Sequence, residues 1–253
     1  MKKWLVACAV FISGCAGVQS ITVIPVVDRE SRQYPFGAGE QMTYAVKCRG
    51  MTVAIARFRV EKMSDFNGRP AFRSVCEVNS LPSFLYRSFS HRLESVIDAE
   101  KLVALKLESS LSEGKNQQNS RMVFNQEKQR VDDNGSTVKT MPDVQDVLSV
   151  LYYLRARELN AGSVISAGIY ADARIWKMQA RVSGPEKIKV KAGKFSCFQV
   201  GPVSDFGGIF EKTEPLVVWF SDDLWHMPVK MAGRTDAGMV SVELTEARVV
   251  NRN

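Results

Sequence analysis

The chain has 253 residues, 45% of them apolar and 24% charged, with a formal net charge of +7. This is ordinary globular composition: it excludes global disorder and gives enough chain for one sizeable core or at most two small ones. The basic excess is spread over Arg29, Arg32, Arg57, Arg59, Arg87, Arg92 and the Lys187–Lys194 segment, a diffuse pattern that argues against nucleic acid as a partner and leaves anionic headgroups or envelope polymers open.

Residues 1–14 read as a signal peptide. Lys2 and Lys3 precede an apolar run from Trp4 to Ile12 that is too short to span a bilayer, and small residues follow. Ile12-Ser13-Gly14-Cys15 resembles the bacterial lipoprotein box, in which small residues fit the peptidase and the cysteine thiol takes the diacylglyceryl group. That resemblance implies a lipid anchor of fatty-acyl chains such as palmitate on Cys15, a membrane partner held durably by its buried methylenes, and no need for a transmembrane helix. Ala16, in place of the Asp that would favour inner-membrane retention, points to the outer membrane, with the protein facing the periplasm. Loss of Lys2 and Lys3 leaves 32 basic against 27 acidic residues, a mature charge of +5.

Residues 15–35 carry no helical period and read as the lipidated cysteine and a tether, with an added edge strand at Ile21–Val27 as the alternative. Residues 36–250 read as a single mainly β domain. Glu40–Lys47 and Met51–Glu61 are divided by Arg49-Gly50, and Asn67-Gly68 offers a hairpin turn into Pro70–Val78. Ala54, Ala56, Phe58 and Val60 share one face of their strand, with Arg57 and Arg59 on the other. Further strands are expected at Phe84–Asp98, Leu102–Ser109, Ser120–Phe124 and around Asp133-Asn134-Gly135. After position 160 they are expected at Val164–Tyr170, Arg174–Val182, Lys187–Val190, Phe195–Val200, Leu216–Phe220, Val229–Ala232 and Met239–Val249. About a dozen hairpin-linked strands predict an antiparallel sheet curled into a barrel or half-barrel.

One stretch breaks the alternation. Across 143–158, Val144, Val147, Leu148, Leu151 and Leu154 fall on one helical face, with Asp143 as expected N-cap, Asp146 at the positive end of the macrodipole, Arg155 and Arg157 at the negative end, and Asn160-Ala161-Gly162 as the stop. This amphipathic helix is expected to pack on the sheet.

Four stretches together resemble the bacterial envelope family known as the domain of unknown function 3108 family. They are Phe36-Gly37-Ala38-Gly39-Glu40 with Tyr44; Asp146-Val147-Leu148-Ser149 with Leu151-Tyr152-Tyr153-Leu154-Arg155; Val190-Lys191-Ala192-Gly193-Lys194-Phe195 with Cys197; and Val218-Trp219-Phe220-Ser221-Asp222-Asp223 followed by Pro228-Val229. The resemblance spans Phe36 to Val249. It implies an exported, mainly β domain, often on lipoproteins, and brings no catalytic residue with it.

Chemistry-bearing motifs are scarce. There is no G-x-S-x-G elbow, H-E-x-x-H helix or phosphate loop, and Gly37-Ala38-Gly39 enters a strand rather than a helix. His91 and His226, at no ligand spacing from a cysteine, read as hydrogen-bonded or surface residues, so neither a metal nor a cofactor is expected. Asp222 and Asp223 read as turn caps and Trp219 as core. Cys48, Cys76 and Cys197 read as buried thiols, with one disulfide as the alternative.

The expected function is therefore non-enzymatic: a module binding a hydrophobic, lipid-like envelope ligand between sheet and helix, lined by Phe58, Tyr86, Phe89, Leu151, Tyr152 and Trp176. The alternatives are a protein-interaction or scaffold module with an envelope protein partner, and an envelope-polymer hydrolase.

Overall fold

A computed structural model describes residues 21–24, 34–81, 88–203, 216–235 and 238–250. Its strands are β1 (Ile21–Ile24), β2 (Gln41–Cys48), β3 (Met51–Phe66), β4 (Arg69–Ser80), β5 (Phe89–Asp98), β6 (Ala104–Glu113), β7 (Asn116–Asn125), β8 (Arg130–Asp133) and β9 (Ser136–Lys139). Beyond a helix α1 (Ser149–Arg155) come β10 (Val164–Ala171), β11 (Arg174–Val190), β12 (Gly193–Pro202), β13 (Val217–Ser221), β14 (Pro228–Thr235) and β15 (Gly238–Val250).

These strands form one sheet in the order β10 to β15 and then β2 to β9. Each neighbouring pair on this path is antiparallel, and most are simple hairpins. The β3–β4 hairpin shows why: Asn67 and Gly68 both take left-handed φ, 53° and 82°, which is the backbone a two-residue turn between twisted strands needs. β15 pairs with β2, so two meanders meet through the strands nearest the two ends of the domain. The expected strands at Arg174–Val182 and Lys187–Val190 are one strand, with a register irregularity between Ser183 and Glu186.

Of the segment expected as a tether, Ile21–Ile24 is a strand, the alternative reading. β14 stops pairing with β15 at Glu243, and β1 takes the vacated side from Ala247 to Val250, in parallel. Cys15 and the leader lie outside the described residues, as does Tyr86.

Strand alternation decides what faces inward. On β3, Ala54, Ala56 and Val60 are buried while Arg57 is exposed. The outward residues of β3, β4 and β5 form an ion-pair lattice: Arg59 clasps Glu77 through both terminal nitrogens at 2.9 and 3.1 Å, Arg92 pairs with Glu77 and Glu94, and Arg73 pairs with Glu61 and Glu94. Three arginines against three glutamates leave the lattice itself neutral. Because the pairs are solvent-screened, Arg73→Ala is expected to cost less than about 1 kcal/mol, a difference that high salt should erase in urea unfolding curves.

The helix is shorter than the sequence pattern. Asp143 has φ 54° and Gln145 bridges Ile169 of β10, with Gln145 N to Gly168 O at 2.7 Å and Tyr170 N to Gln145 O at 2.8 Å. Backbone pairing with a strand therefore takes residues the period would have given to the helix. Asp146 does the capping: its Oδ1 accepts from the amides of Leu148 and Ser149, both at 2.7 Å. The helix ends at Arg155, ahead of the expected stop.

The chain linking β9 to β10 carries this helix between the two free edges of the sheet and holds them together. Tyr170 of β10 is fully buried against Phe124 of β7, with ring centroids 6.2 Å apart, and donates its hydroxyl to Asp133 of β8 at 2.9 Å. The sheet is not closed by strand pairing; side chains and the Gln145 bridge close the gap.

Candidate functional site

α1 lies within the curl and divides it. One face, Tyr152, packs into a filled half with Tyr34, Phe36, Phe72 and Ile97, and Leu148, at the helix start, borders both this half and the other. Phe36 is the hub there, edge-on to Tyr152 and Phe72 at 4.9 and 5.4 Å and stacked on Tyr34 at 5.5 Å. The other face, Val147, Val150, Leu151 and Leu154, looks across at β10 to β14 and meets open space. An apolar cavity of about 300 Å³ lies between them, its sheet side formed by residues such as Ile169, Trp176, Met178, Val200, Val218 and Met231. Among the described lining residues only Lys177 and Gln179 have side chains that are charged or carry an amide. Two apolar residues stand exposed at the cavity, Val147 at 43% and Leu216 at 40%.

Phe58, Leu151 and Trp176, expected in the pocket, all line this cavity. Phe58 is held edge-on to Tyr44 at 5.3 Å, and Trp176 is fixed by its indole nitrogen donating to Ala171 O at 3.2 Å. Tyr152 does not line it: it is buried in the filled half, because the helix has two apolar faces rather than one. Phe89, at the start of β5, is half-buried away from it. Val150, Leu154 and Met178 were missed, although Leu154 shares the helix face of Leu151, and Met178 follows Trp176 at strand spacing.

At the end of the helix is a second constellation, built on a fully buried ion pair. Arg155 donates to both carboxylate oxygens of Glu40, at 2.7 and 2.8 Å, and to the carbonyls of Pro35, Trp225 and His226 at 3.0 to 3.2 Å. Its guanidinium carbon lies 5.2 Å from the Phe36 centroid and 5.6 Å from that of Tyr152. Burial works against the charge and Glu40 outweighs it, so the group is held above its ordinary range. His226 Nδ1 donates back to Arg155 O at 2.8 Å. This constellation can lock the helix end to the segment entering β2 and to the loop after β13, since all three guanidinium nitrogens already donate to protein acceptors.

The remaining candidates are absorbed into the framework. Asp223 accepts from Ser221 Oγ and Trp225 N, the turn-capping role expected of it. His91 Nε2 lies 2.9 Å from Ser109 Oγ, and burial lowers its pKa. Burial pushes the thiols of Cys76 and Cys197 up to about 12, and both are free thiols held in the neutral form at neutral pH. Trp219, expected in the core, faces outward: Val218 and Phe220 point in, while its indole nitrogen donates to Glu186 at 2.6 Å and Lys230 sits 5.3 Å from its ring.

An open, barrel-like antiparallel domain with a helix inside and an apolar cavity beside that helix is the class these features define. The chain belongs to the family described as protein of unknown function DUF3108, whose model matches residues 41–245. Among solved structures it is similar to a beta-barrel-like protein of domain of unknown function DUF1849 from Brucella abortus, with a TM-score of 0.55 at 9% identity over 85% of this chain and 99% of that one. A DUF1089 family protein from Pseudomonas aeruginosa gives 0.41 at 5% identity over 69% and 87% of the two chains. A protein with a YmcC-like fold from Bacteroides fragilis gives 0.36 at 11% identity over 85% and 97%. Only the first is close enough to speak to the fold, and at its identity it speaks to nothing else. No curated protein matches the sequence significantly.

Proposed function

We propose that this is a lipoprotein of the outer membrane, anchored through Cys15 and facing the periplasm, that binds a lipid-like envelope molecule in the cavity beside α1 without chemically transforming it. The observation that carries this reading is the cavity itself: about 300 Å³ of apolar space between one helix face and the inner face of β10 to β14, with Val147 and Leu216 exposed beside it. That volume lies at the small end of the roughly 300–1,000 Å³ common for ligand sites, and exposed apolar residues at an opening favour an apolar guest. The buried polar groups nearest the helix, Glu40, Arg155 and Asp146, are committed to partners inside the fold, which supports binding over turnover.

Native mass spectrometry of the protein purified gently from a bacterial envelope tests the reading. The expected result is an added mass that extracts into organic solvent. Leu151→Trp places an indole in the cavity and is expected to cost the ligand at least about tenfold in affinity, roughly 1.4 kcal/mol. A folded Leu151→Trp protein carrying as much ligand as the wild type would end the proposal.

A further inference from the structure

The β11–β12 hairpin carries four lysines, Lys187, Lys189, Lys191 and Lys194, all exposed. None takes part in an ion pair among the described residues. Lys189 and Lys194 are directly opposed across the two strands, an arrangement in which like charges repel. Among the described residues no carboxylate forms an ion pair with either lysine. The carboxylate of Glu186 is engaged by Trp219, and that of Asp223 by Ser221 and Trp225. Asp222 Oδ2 lies 3.5 Å from Ser196 Oγ.

The hairpin also sits where the chain enters the domain. Ala192 N donates to Leu244 O at 3.1 Å, and β1 begins three residues further along β15, at the Ile21–Ala247 pair. At about 3.4 Å per strand residue, these points are roughly 10 Å apart. Ile21 is six residues on from Cys15, a reach of at most about 20 Å. On the same end, the loop after β13 is pinned to the hairpin by Asp222 N donating to Ser196 O at 2.8 Å, and it presents Leu224 at 63% exposure.

We infer that this hairpin is a basic foot that rests on an anionic phospholipid surface, with Leu224 beside it. The inference depends on the lipid anchor at Cys15, whose tether lets this end come within a Debye length of the headgroups, about 8 Å at physiological salt. Lysines at that distance from anionic lipid are attracted to it, and the opposed pair is relieved.

Lysine acylation read residue by residue tests it, with the lipoprotein reconstituted into vesicles of phosphatidylcholine alone or mixed with phosphatidylglycerol. The four hairpin lysines are expected to react about fivefold more slowly on the anionic vesicles, the factor one such contact carries. High salt should remove the difference, and Lys115 and Lys139 should show none. In K189E/K194E, Lys187 and Lys191 should lose their protection while the circular dichroism spectrum is unchanged. Equal rates on both vesicles, slowing that extends equally to Lys115 and Lys139, or protection by a soluble polyanion but not by vesicles would each overturn the foot. Flotation with phosphatidylcholine vesicles reads the anchor separately: failure to float overturns the lipidation reading, whereas flotation without lipid-dependent protection overturns the docking surface alone.

Discussion

Arg155→Met is expected to destabilise the domain by about 4 kcal/mol, because removing one partner of a buried ion pair strands the other. Glu40 is 1% exposed and Arg155 fully buried, so water cannot replace the lost contact. The variant also takes the donor from the carbonyls of Pro35, Trp225 and His226. Glu40→Leu should cost a similar amount, since it leaves the guanidinium buried without its counter-charge. The double variant Glu40→Leu/Arg155→Met should recover part of the loss. Full recovery is not expected, because the three carbonyls remain without their donor. Urea unfolding followed by circular dichroism measures all three. A single Arg155→Met change costing under about 1 kcal/mol would show that the pair does not hold the helix end, and full additivity in the double variant would show that the two residues do not act as a pair.

The four family stretches looked like separate punctuation along the chain, and three of them meet at this pair. Glu40 and Phe36 come from the first, Tyr152 and Arg155 from the second, and the loop supplying the Trp225 and His226 carbonyls joins the two parts of the fourth. Their partnership spans 115 residues between Glu40 and Arg155, and a single sequence holds no signal for it. Strands were legible because their buried and exposed residues alternate locally, as Ala54, Ala56 and Val60 against Arg57 show. Residues 143–148 were misread as helix because an apolar period records only that residues are buried; Gln145 meets that condition by bridging β10. Tyr152 failed as a pocket residue for a related reason. Burial on both sides of a helix looks the same in sequence whether the space beyond is filled by Phe36 or left open beside Leu151. Trp219 shows the converse: an apolar strand says nothing about which face a tryptophan takes when Glu186 and Lys230 wait outside.

Asp146→Ala is expected to cost about 3 kcal/mol, combining a lost helix cap with buried donors left unpaired. The carboxylate caps Leu148 and Ser149 through Oδ1, while Oδ2 accepts from Ser95 Oγ at 2.6 Å, all out of contact with water. Asn in its place keeps an acceptor for the two amides and a polar group for the serine, so Asp146→Asn should cost about 1 kcal/mol or less at neutral pH. The two variants also separate in their pH dependence. Burial raises the Asp146 pKa, and the hydrogen bonds from Ser95, Ser149 and Leu148 only partly oppose it. The folded protein therefore keeps this proton to a higher pH than the unfolded chain does. Its contribution to stability is fully present below the unfolded value of about 3.9 and is lost as pH rises through the folded one. Between those limits the wild type should lose stability with rising pH relative to Asp146→Asn, which has no proton to release. Unfolding curves for both proteins at a series of pH values from about 4 upward would show the two stabilities converging or crossing as the carboxylate ionises. A constant difference across the series would mean that Asp146 is ionised throughout, and that its hydrogen bonds outweigh its burial.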